Sequence, residues 1–223
     1  MTQNRAINSK TRAILFDHDG TLIDSELVHF SLWQGVLKDY GITMTEQFYS
    51  DVMAGIPVAQ NAVDAVNTFS LPVSPEVLAA TKNARTKAYL DAQPFPLMPH
   101  AVETLKNCYD SGYQLAIVTG GSRQSVERTL DARGIRHMIS VTVAVEDVEH
   151  SKPAPDCYLK AMKMLGRTPD ECVAVEDTEH GMRSALAAGA NCVVIPTSHS
   201  AQHDFSGATA KYASLQAWWM LES

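Results

Sequence analysis

Two carboxylates spaced two residues apart, Asp17 and Asp19, follow directly on the apolar run Ala13-Ile14-Leu15-Phe16 and are themselves followed by Gly20-Thr21. Four consecutive apolar residues of this kind predict a strand buried on both faces, as in a parallel sheet. Side chains two apart leave the end of such a strand in the same direction, so Asp17 and Asp19 converge on one site. Neighbouring carboxylates repel each other unless a cation lies between them or they share a proton. The chemistry this suggests is a magnesium site, against the plainer reading of a strand running into an Asp-Gly turn. Three more polar clusters fall at the carboxyl end of a strand-like run or just beyond it: Thr119-Gly120-Gly121-Ser122, Lys152 in Ser151-Lys152-Pro153-Ala154-Pro155, and Glu176-Asp177-Thr178. Each has a plainer counterpart: a helix cap for Thr119, a solvated loop lysine for Lys152, a helix-opening acidic pair for Glu176 and Asp177. One cluster would be ordinary; four in series define a site.

The elements that must position these groups can be read from hydrophobic periodicity. Between Ser25 and about Asp91 the period is helical, beginning with Phe30, Trp33, Val36, Leu37 and Tyr40 and halting near Gly41. Further helices are expected at 45–53, 58–68 and 75–91, the last opening on Ser74-Pro75-Glu76, a cap followed by a first-turn proline. Three prolines between Gln93 and Pro99 mark a return linker. Beyond it strands and helices alternate: helix 99–111, strand 113–118, helix 123–133, a β-branched run at 140–145, a helix ending at Gly166, strand 172–175, a helix to Gly189, and strand 191–195. Such units predict an α/β fold with a doubly wound, Rossmann-like parallel sheet, whose ligands bind at the carboxyl ends of the strands. The expected division is residues 1–24 with 98–223 as the core and 25–97 as an inserted helical domain. Residues 1–11 read as polar and frayed, and 213–221 as a short helix whose Trp218 and Trp219 pack into the core.

Composition narrows the classes. Of 223 residues 45% are hydrophobic, ample for a core without metal or disulfide staples. The cysteines, Cys108, Cys157, Cys172 and Cys192, have no zinc spacing and read as reduced, buried thiols. A net charge of −7 with no basic block argues against nucleic acid as a partner. With no long apolar segment and no signal-peptide pattern, the expectation is a soluble, cytoplasmic protein without a membrane or obligate protein partner.

Asp17-His18-Asp19-Gly20-Thr21 resembles the Asp-x-Asp-Gly-Thr signature of the haloacid dehalogenase superfamily of phosphotransferases. Ile117-Val118-Thr119 looks like that family's second motif, Lys152 in Ser-Lys-Pro-Ala-Pro like its third, and Glu176-Asp177-Thr178 with Gly181 like its fourth. The ordered set spans Thr11 to Ile195, with the helical insert directly after the first motif. The resemblance implies a core carrying the chemistry and a cap that closes over it to exclude water. It further implies a Mg²⁺-dependent phosphatase acting on a small phosphorylated metabolite, a sugar phosphate being the leading class.

Phosphate monoesters are dianions, so a carboxylate can attack one only if positive charge neutralises the phosphoryl oxygens. Asp17 suits the nucleophile, because an aspartyl-phosphate divides one difficult hydrolysis into two transfers. Asp19 suits the acid/base, protonating the leaving oxygen and then activating water. Asp177 is the expected Mg²⁺ ligand, with Glu176 direct or through water; the resemblance adds the backbone carbonyl of Asp19, and Asp17 completes the metal set. Thr119, the Gly120 amide and Lys152 are the expected phosphoryl-binding groups. Thr21, His29 and Arg123 join them as substrate-binding candidates, and Arg85 as a specificity candidate. A β-phosphoglucomutase-like isomerase is the alternative, since Asp24 to Phe30 resembles that subfamily, in which a histidine matching His29 helps position the acid/base. Against it, Gly55-Ile56-Pro57-Val58 stands where the mutases carry an arginine for a second phosphate, a role left to Arg85 or Arg123. A non-catalytic binding protein of the same fold is the third reading. His18 stands where the family usually has an apolar residue, and a structural or hydrogen-bonding role is expected for it.

Overall fold

The computed structural model describes residues 5–222, which form two compact units, one running up to Asp24 and resuming at Pro96, the other Ser25–Phe95. In the first, strands β1 (Ala13–Phe16), β2 (Gln114–Val118), β3 (Ile139–Val143), β4 (Cys172–Glu176), β5 (Asn191–Val194) and β6 (Ala210–Lys211) make one sheet in the order β3-β2-β1-β4-β5-β6. Every pairing in it is parallel. The same unit holds helices α5 (Ala101–Asp110), α6 (Arg123–Arg133), α7 (Asp156–Leu165), α8 (Glu179–Ala187) and α9 (Leu215–Glu222). The second unit holds α1 (Glu26–Lys38), α2 (Glu46–Phe48), α3 (Val58–Phe69) and α4 (Pro75–Ala92).

The uninterrupted apolar run of β1 is explained by burial on both faces. Ile14 and Phe16 pack with Leu105 of α5, Val126 and Leu130 of α6 and Trp218 of α9. Ala13 and Leu15 face the other way, into Cys157, Tyr158 and Ala161 of α7 and Met182 and Ala185 of α8. Helices therefore cover both sides, the arrangement a parallel sheet requires. Phe16 lies level with Ile117 of β2 and Val175 of β4, so the next residues of all three strands emerge together at one edge of the sheet. That register is continued by hydrogen bonds from the Asp17 amide to the Val175 carbonyl (2.9 Å) and from the Thr119 amide to the Val143 carbonyl (2.9 Å).

Helix caps turn the chain sharply at that edge. The Ser122 hydroxyl accepts from the Ser125 amide at the start of α6 (3.3 Å), and the Thr178 hydroxyl from the Gly181 amide at the start of α8 (3.2 Å). In the Ser25–Phe95 unit, Trp33, Val36 and Leu37 of α1 meet Ala62 and Ala65 of α3 and Leu78 of α4 in a core of their own. Ser74 caps α4 through the Val77 amide and Pro75 occupies its first turn. The helix expected at 45–53 is only partly α-helical: α2 passes at once into a π-helical turn, Tyr49–Met53. Buried Asn61 of α3 ties down the turn between that segment and its own helix, its side-chain amide donating to the carbonyls of Met53 and Ile56.

Two expectations fail in the first unit. Residues 1–4 of the stretch read as frayed lie outside the described residues, but Ala6 and Ile7 are buried, and their amides donate to the Glu222 carboxylate at 2.9 Å each. The Tyr212 hydroxyl donates to the same carboxylate (2.7 Å). Local polarity gave no sign of this, because the acceptor lies more than two hundred residues away. Strand β6 escaped notice because two residues carry no readable pattern. Cys108, Cys157, Cys172 and Cys192 are buried free thiols. Among the described residues no helix is long and apolar enough to cross a membrane.

Removing the Glu222 carboxylate strands two buried amides and a buried phenol. Glu222→Ala should therefore lower the unfolding free energy by about 3 kcal/mol. Urea titration measures this, and a loss within error of zero would mean that solvent replaces the carboxylate.

Candidate active site

Strand β1 delivers Asp17 to the carboxyl edge of the sheet between β2 and β4, and the loop after β3 brings Lys152 against it. The Lys152 ammonium donates to Asp17 Oδ1 (2.6 Å), Glu176 Oε1 (2.6 Å) and the Val118 carbonyl (2.8 Å). An ammonium has three N–H donors, and here each has an acceptor. Glu176 Oε1 also receives the hydroxyl of Tyr158 on α7 (2.6 Å), whose ring lies 5.2 Å from the Lys152 ammonium. Asp17, Glu176 and Asp177 each present an oxygen within 4.8 Å of the others, and all three residues are buried.

One buried ammonium faces three buried carboxylates. Burial, with lesser help from Glu176 and Asp19, pushes the Asp17 carboxyl up to about 8 despite Lys152 beside it. Asp177 is likewise held well above the ordinary carboxylate range, by burial first and then by Asp17 and Glu176. Burial works against the charge of Lys152, but the two carboxylates it touches outweigh that and raise it above its usual value. The group thus lacks positive charge and retains spare oxygen lone pairs: Glu176 Oε2 and Asp177 Oδ1 are buried and make no hydrogen bond.

Glycines leave room for the carboxylates of the site. A Cβ on Gly181 would lie 2.0 Å from Glu176 Oε2, one on Gly20 2.2 Å from Asp177 Oδ2, and one on Gly121 2.5 Å from Asp19 Oδ2. Gly20 also has φ +79°, where a side chain would be strained. Gly181 stands in the first turn of α8, where alanine is otherwise preferred.

The remaining expected residues fall into two groups. Asp19 and Thr119 join the site: the Thr119 hydroxyl donates to Asp19 Oδ2 (3.2 Å) and accepts from the Gly121 amide (2.8 Å). The Asp19 carboxylate stands outside the trio of side chains that could hold a metal ion. Gly120 faces the Ser151 hydroxyl across its bare Cα, where a Cβ would lie 3.3 Å away. Thr21 is buried in the turn after Gly20, its hydroxyl without a hydrogen bond. Arg123 is ion-paired with Asp147, and its amide donates to the Glu146 carboxylate. In the Ser25–Phe95 unit, His29 Nδ1 lies 2.8 Å from the buried ammonium of Lys82, and Arg85 pairs with Asp39. His18 is completely buried on the α6 face, opposite to Asp17 as strand alternation demands, with Nε2 3.2 Å from Thr129 Oγ1. Burial holds its imidazole below the usual range. Tyr158 was not foreseen, because its one signal, a tyrosine on the apolar face of a helix, is shared by many core residues.

A family model described as haloacid dehalogenase-like hydrolase matches residues 14–195, a span that includes every polar cluster of the site. The chain belongs to the haloacid dehalogenase-like hydrolases. It is 31% identical over 182 residues to the fructose-1-phosphate phosphatase YqaB of Escherichia coli (strain K12), covering 81% of this chain and 94% of that one. To hexitol phosphatase A of the same organism it is 31% identical over 194 residues, 83% of each chain. Among solved structures, CbbY from Rhodobacter sphaeroides in complex with phosphate superposes with a TM-score of 0.79 at 26% identity, covering 92% of this chain and 95% of that one.

Members of this family generally use Mg²⁺, and the residues present fit it. The donors are all oxygen, two of their atoms are buried without partners, and the cluster is short of positive charge. Gly181→Ala should displace Glu176 and weaken Mg²⁺ binding at least tenfold despite better helix propensity. Thermal shift against Mg²⁺ concentration reads this, and an unchanged dependence would remove Glu176 from the metal set. Linkage makes a second prediction. Folded-state values of Asp17 and Asp177 are raised above the unfolded value of about 4, so the folded metal-free chain holds more protons. Their contribution to stability is full below about pH 4 and is lost as pH rises toward about 8. In EDTA the melting temperature should be lower near pH 8.5 than near pH 6, and Mg²⁺ should narrow the gap; a gap indifferent to Mg²⁺ would contradict the fit.

Proposed function

We propose that this hydrolase is a Mg²⁺-dependent phosphatase that cleaves a small sugar phosphate through an aspartyl-phosphate on Asp17. The observation that carries the reading is the contact of Asp17 with Lys152 beside two further carboxylates that have unpartnered oxygens. The sugar-phosphate class is supported by the named activities of the two Escherichia coli relatives, each a phosphatase.

Asp17, Glu176 and Asp177 would hold the metal, with the Asp19 backbone carbonyl. When bound, Mg²⁺ supplies charge neutralisation for the phosphoryl oxygens and for the carboxylates that hold it. Lys152 favours the ionised form of Asp17, which burial alone disfavours, and aims it at phosphorus. The Thr119 hydroxyl, the Gly120 amide and Lys152 bind the phosphoryl oxygens. As the bond from Asp17 to phosphorus forms and the ester P–O bond breaks, Asp19 gives its proton to the leaving oxygen. Asp19, now a carboxylate, takes a proton from the water that attacks the aspartyl-phosphate, releasing inorganic phosphate and restoring both residues.

The mutase alternative needs a cation for a second phosphate. Both arginines considered for that role are committed to carboxylates, Arg85 to Asp39 and Arg123 to Asp147. That favours hydrolysis.

Asp17→Asn should lower phosphate release at least 10³-fold with no loss of melting temperature, and EDTA should silence the wild type until Mg²⁺ is restored. A screen of phosphorylated metabolites with a free-phosphate readout tests the substrate class, and turnover by Asp17→Asn near wild type would refute the nucleophile. With β-glucose 1-phosphate, free phosphate is the expected product; glucose 6-phosphate instead would establish the mutase.

A further inference from the structure

We propose that Tyr158 is a positioning residue whose hydroxyl leaves Glu176 a single oxygen for the metal and so favours Mg²⁺ over Ca²⁺ at the site. The inference rests on Glu176 belonging to the metal set proposed above. Tyr158 lies on α7 with no exposed surface, and its hydroxyl donates to Glu176 Oε1 at 2.6 Å. The Lys152 ammonium donates to that same oxygen, also at 2.6 Å. A carboxylate oxygen offers about two lone-pair directions, so these two donors fill Oε1. Glu176 Oε2, by contrast, is buried and makes no hydrogen bond. One carboxylate thus has a saturated oxygen and a bare one.

That division is held from more than one side. The Tyr158 ring lies 5.2 Å from the Lys152 ammonium, so the residue that supplies one donor also braces the other. A Cβ on Gly181 would lie 2.0 to 2.2 Å from both Glu176 oxygens and the carbon between them, which packs α8 against the carboxylate and limits its rotation. Ca²⁺ gathers six to eight oxygens at about 2.3–2.6 Å and accepts both oxygens of one carboxylate. Mg²⁺ demands a near-ideal octahedron at about 2.0–2.1 Å, which the narrow bite of a two-oxygen carboxylate distorts. A Glu176 confined to Oε2 meets the demand of Mg²⁺ and denies Ca²⁺ a ligand. The discrimination is made by a hydroxyl whose partner is the oxygen turned away from the ion.

Thermal shift of the whole chain, stripped with EDTA and titrated with Mg²⁺ or Ca²⁺, gives an apparent Kd for each ion without any need of turnover. The wild type should bind Mg²⁺ more tightly than Ca²⁺. Tyr158→Phe keeps the ring beside Lys152 and loses only the hydroxyl; the ratio of the two constants should move at least about fivefold toward Ca²⁺. A purely structural tyrosine would lower the melting temperature in EDTA and weaken both ions in proportion. Proportionate weakening in Tyr158→Phe, no change in either ion, or a wild type that already binds Ca²⁺ as tightly as Mg²⁺ would overturn the proposal, the last without any variant. Glu176→Gln is the reference. Its carbonyl oxygen is claimed by Tyr158 and Lys152, so its amide nitrogen faces the metal, and Mg²⁺ should bind at least about tenfold more weakly. Undiminished binding by Glu176→Gln would instead remove the premise that Glu176 is a ligand, and a wild type unmoved by Mg²⁺ would overturn the metal-dependent reading itself.

Discussion

The site depends on one imbalance of charge. Lys152 spends its three hydrogen bonds on two carboxylates and a carbonyl, which leaves a buried group of Asp17, Glu176 and Asp177 with more negative charge than one ammonium can offset. Buried charge without a partner is among the costliest things a fold can contain. The folded chain relieves it with protons, or with a cation when one is present. The same shortage, in a donor set made only of oxygens, is one that a small, hard dication would relieve. Tyr158 contributes by holding Glu176 Oε1 from behind, which turns the other oxygen inward toward Gly181.

The sheet converts distant sequence positions into neighbours at this point. β1 lies in the middle, β2 on one side and β4 on the other, so residues near 17, 119 and 176 leave the sheet at one level. The chain crosses from one side of β1 to the other between those strands, and a crevice at such a crossing is where open α/β sheets bind ligands. The capped starts of α6 and α8 then fix how each loop departs.

Much of this was legible from residues alone, for a physical reason. Strands buried on both faces write unbroken apolar runs, and a polar cluster that ends such a run has few reasons to be there other than chemistry. Ala13 to Phe16, Leu115 to Val118 and Cys172 to Val175 are runs of this kind, and Asp17, Thr119 and Glu176 stand at or near their ends. What stayed hidden depends on packing between elements that no local pattern encodes. Tyr158 reads as a core residue until Glu176 is placed next to it. Gly181 reads as a weak spot in a helix until the carboxylate under it is seen. His18 is unreadable without Thr129, which lies on α6, more than a hundred residues on. The buried segment at Ala6 and Ile7 looked like an idle polar end because its carboxylate partner belongs to α9.

That last contact bears on how the molecule is made. Residues 6 and 7 find their acceptor only at residue 222, and β1 finds its neighbours only at β2 and β4. During synthesis the first strand therefore waits unpaired at least until β2 has been made, and its other neighbour comes only with β4. The helical unit Ser25–Phe95 can fold meanwhile, because the hydrophobic core it holds is drawn from within seventy-odd residues. The sheet is thus completed only after the Ser25–Phe95 segment has been made, an order imposed by connectivity rather than by local stability.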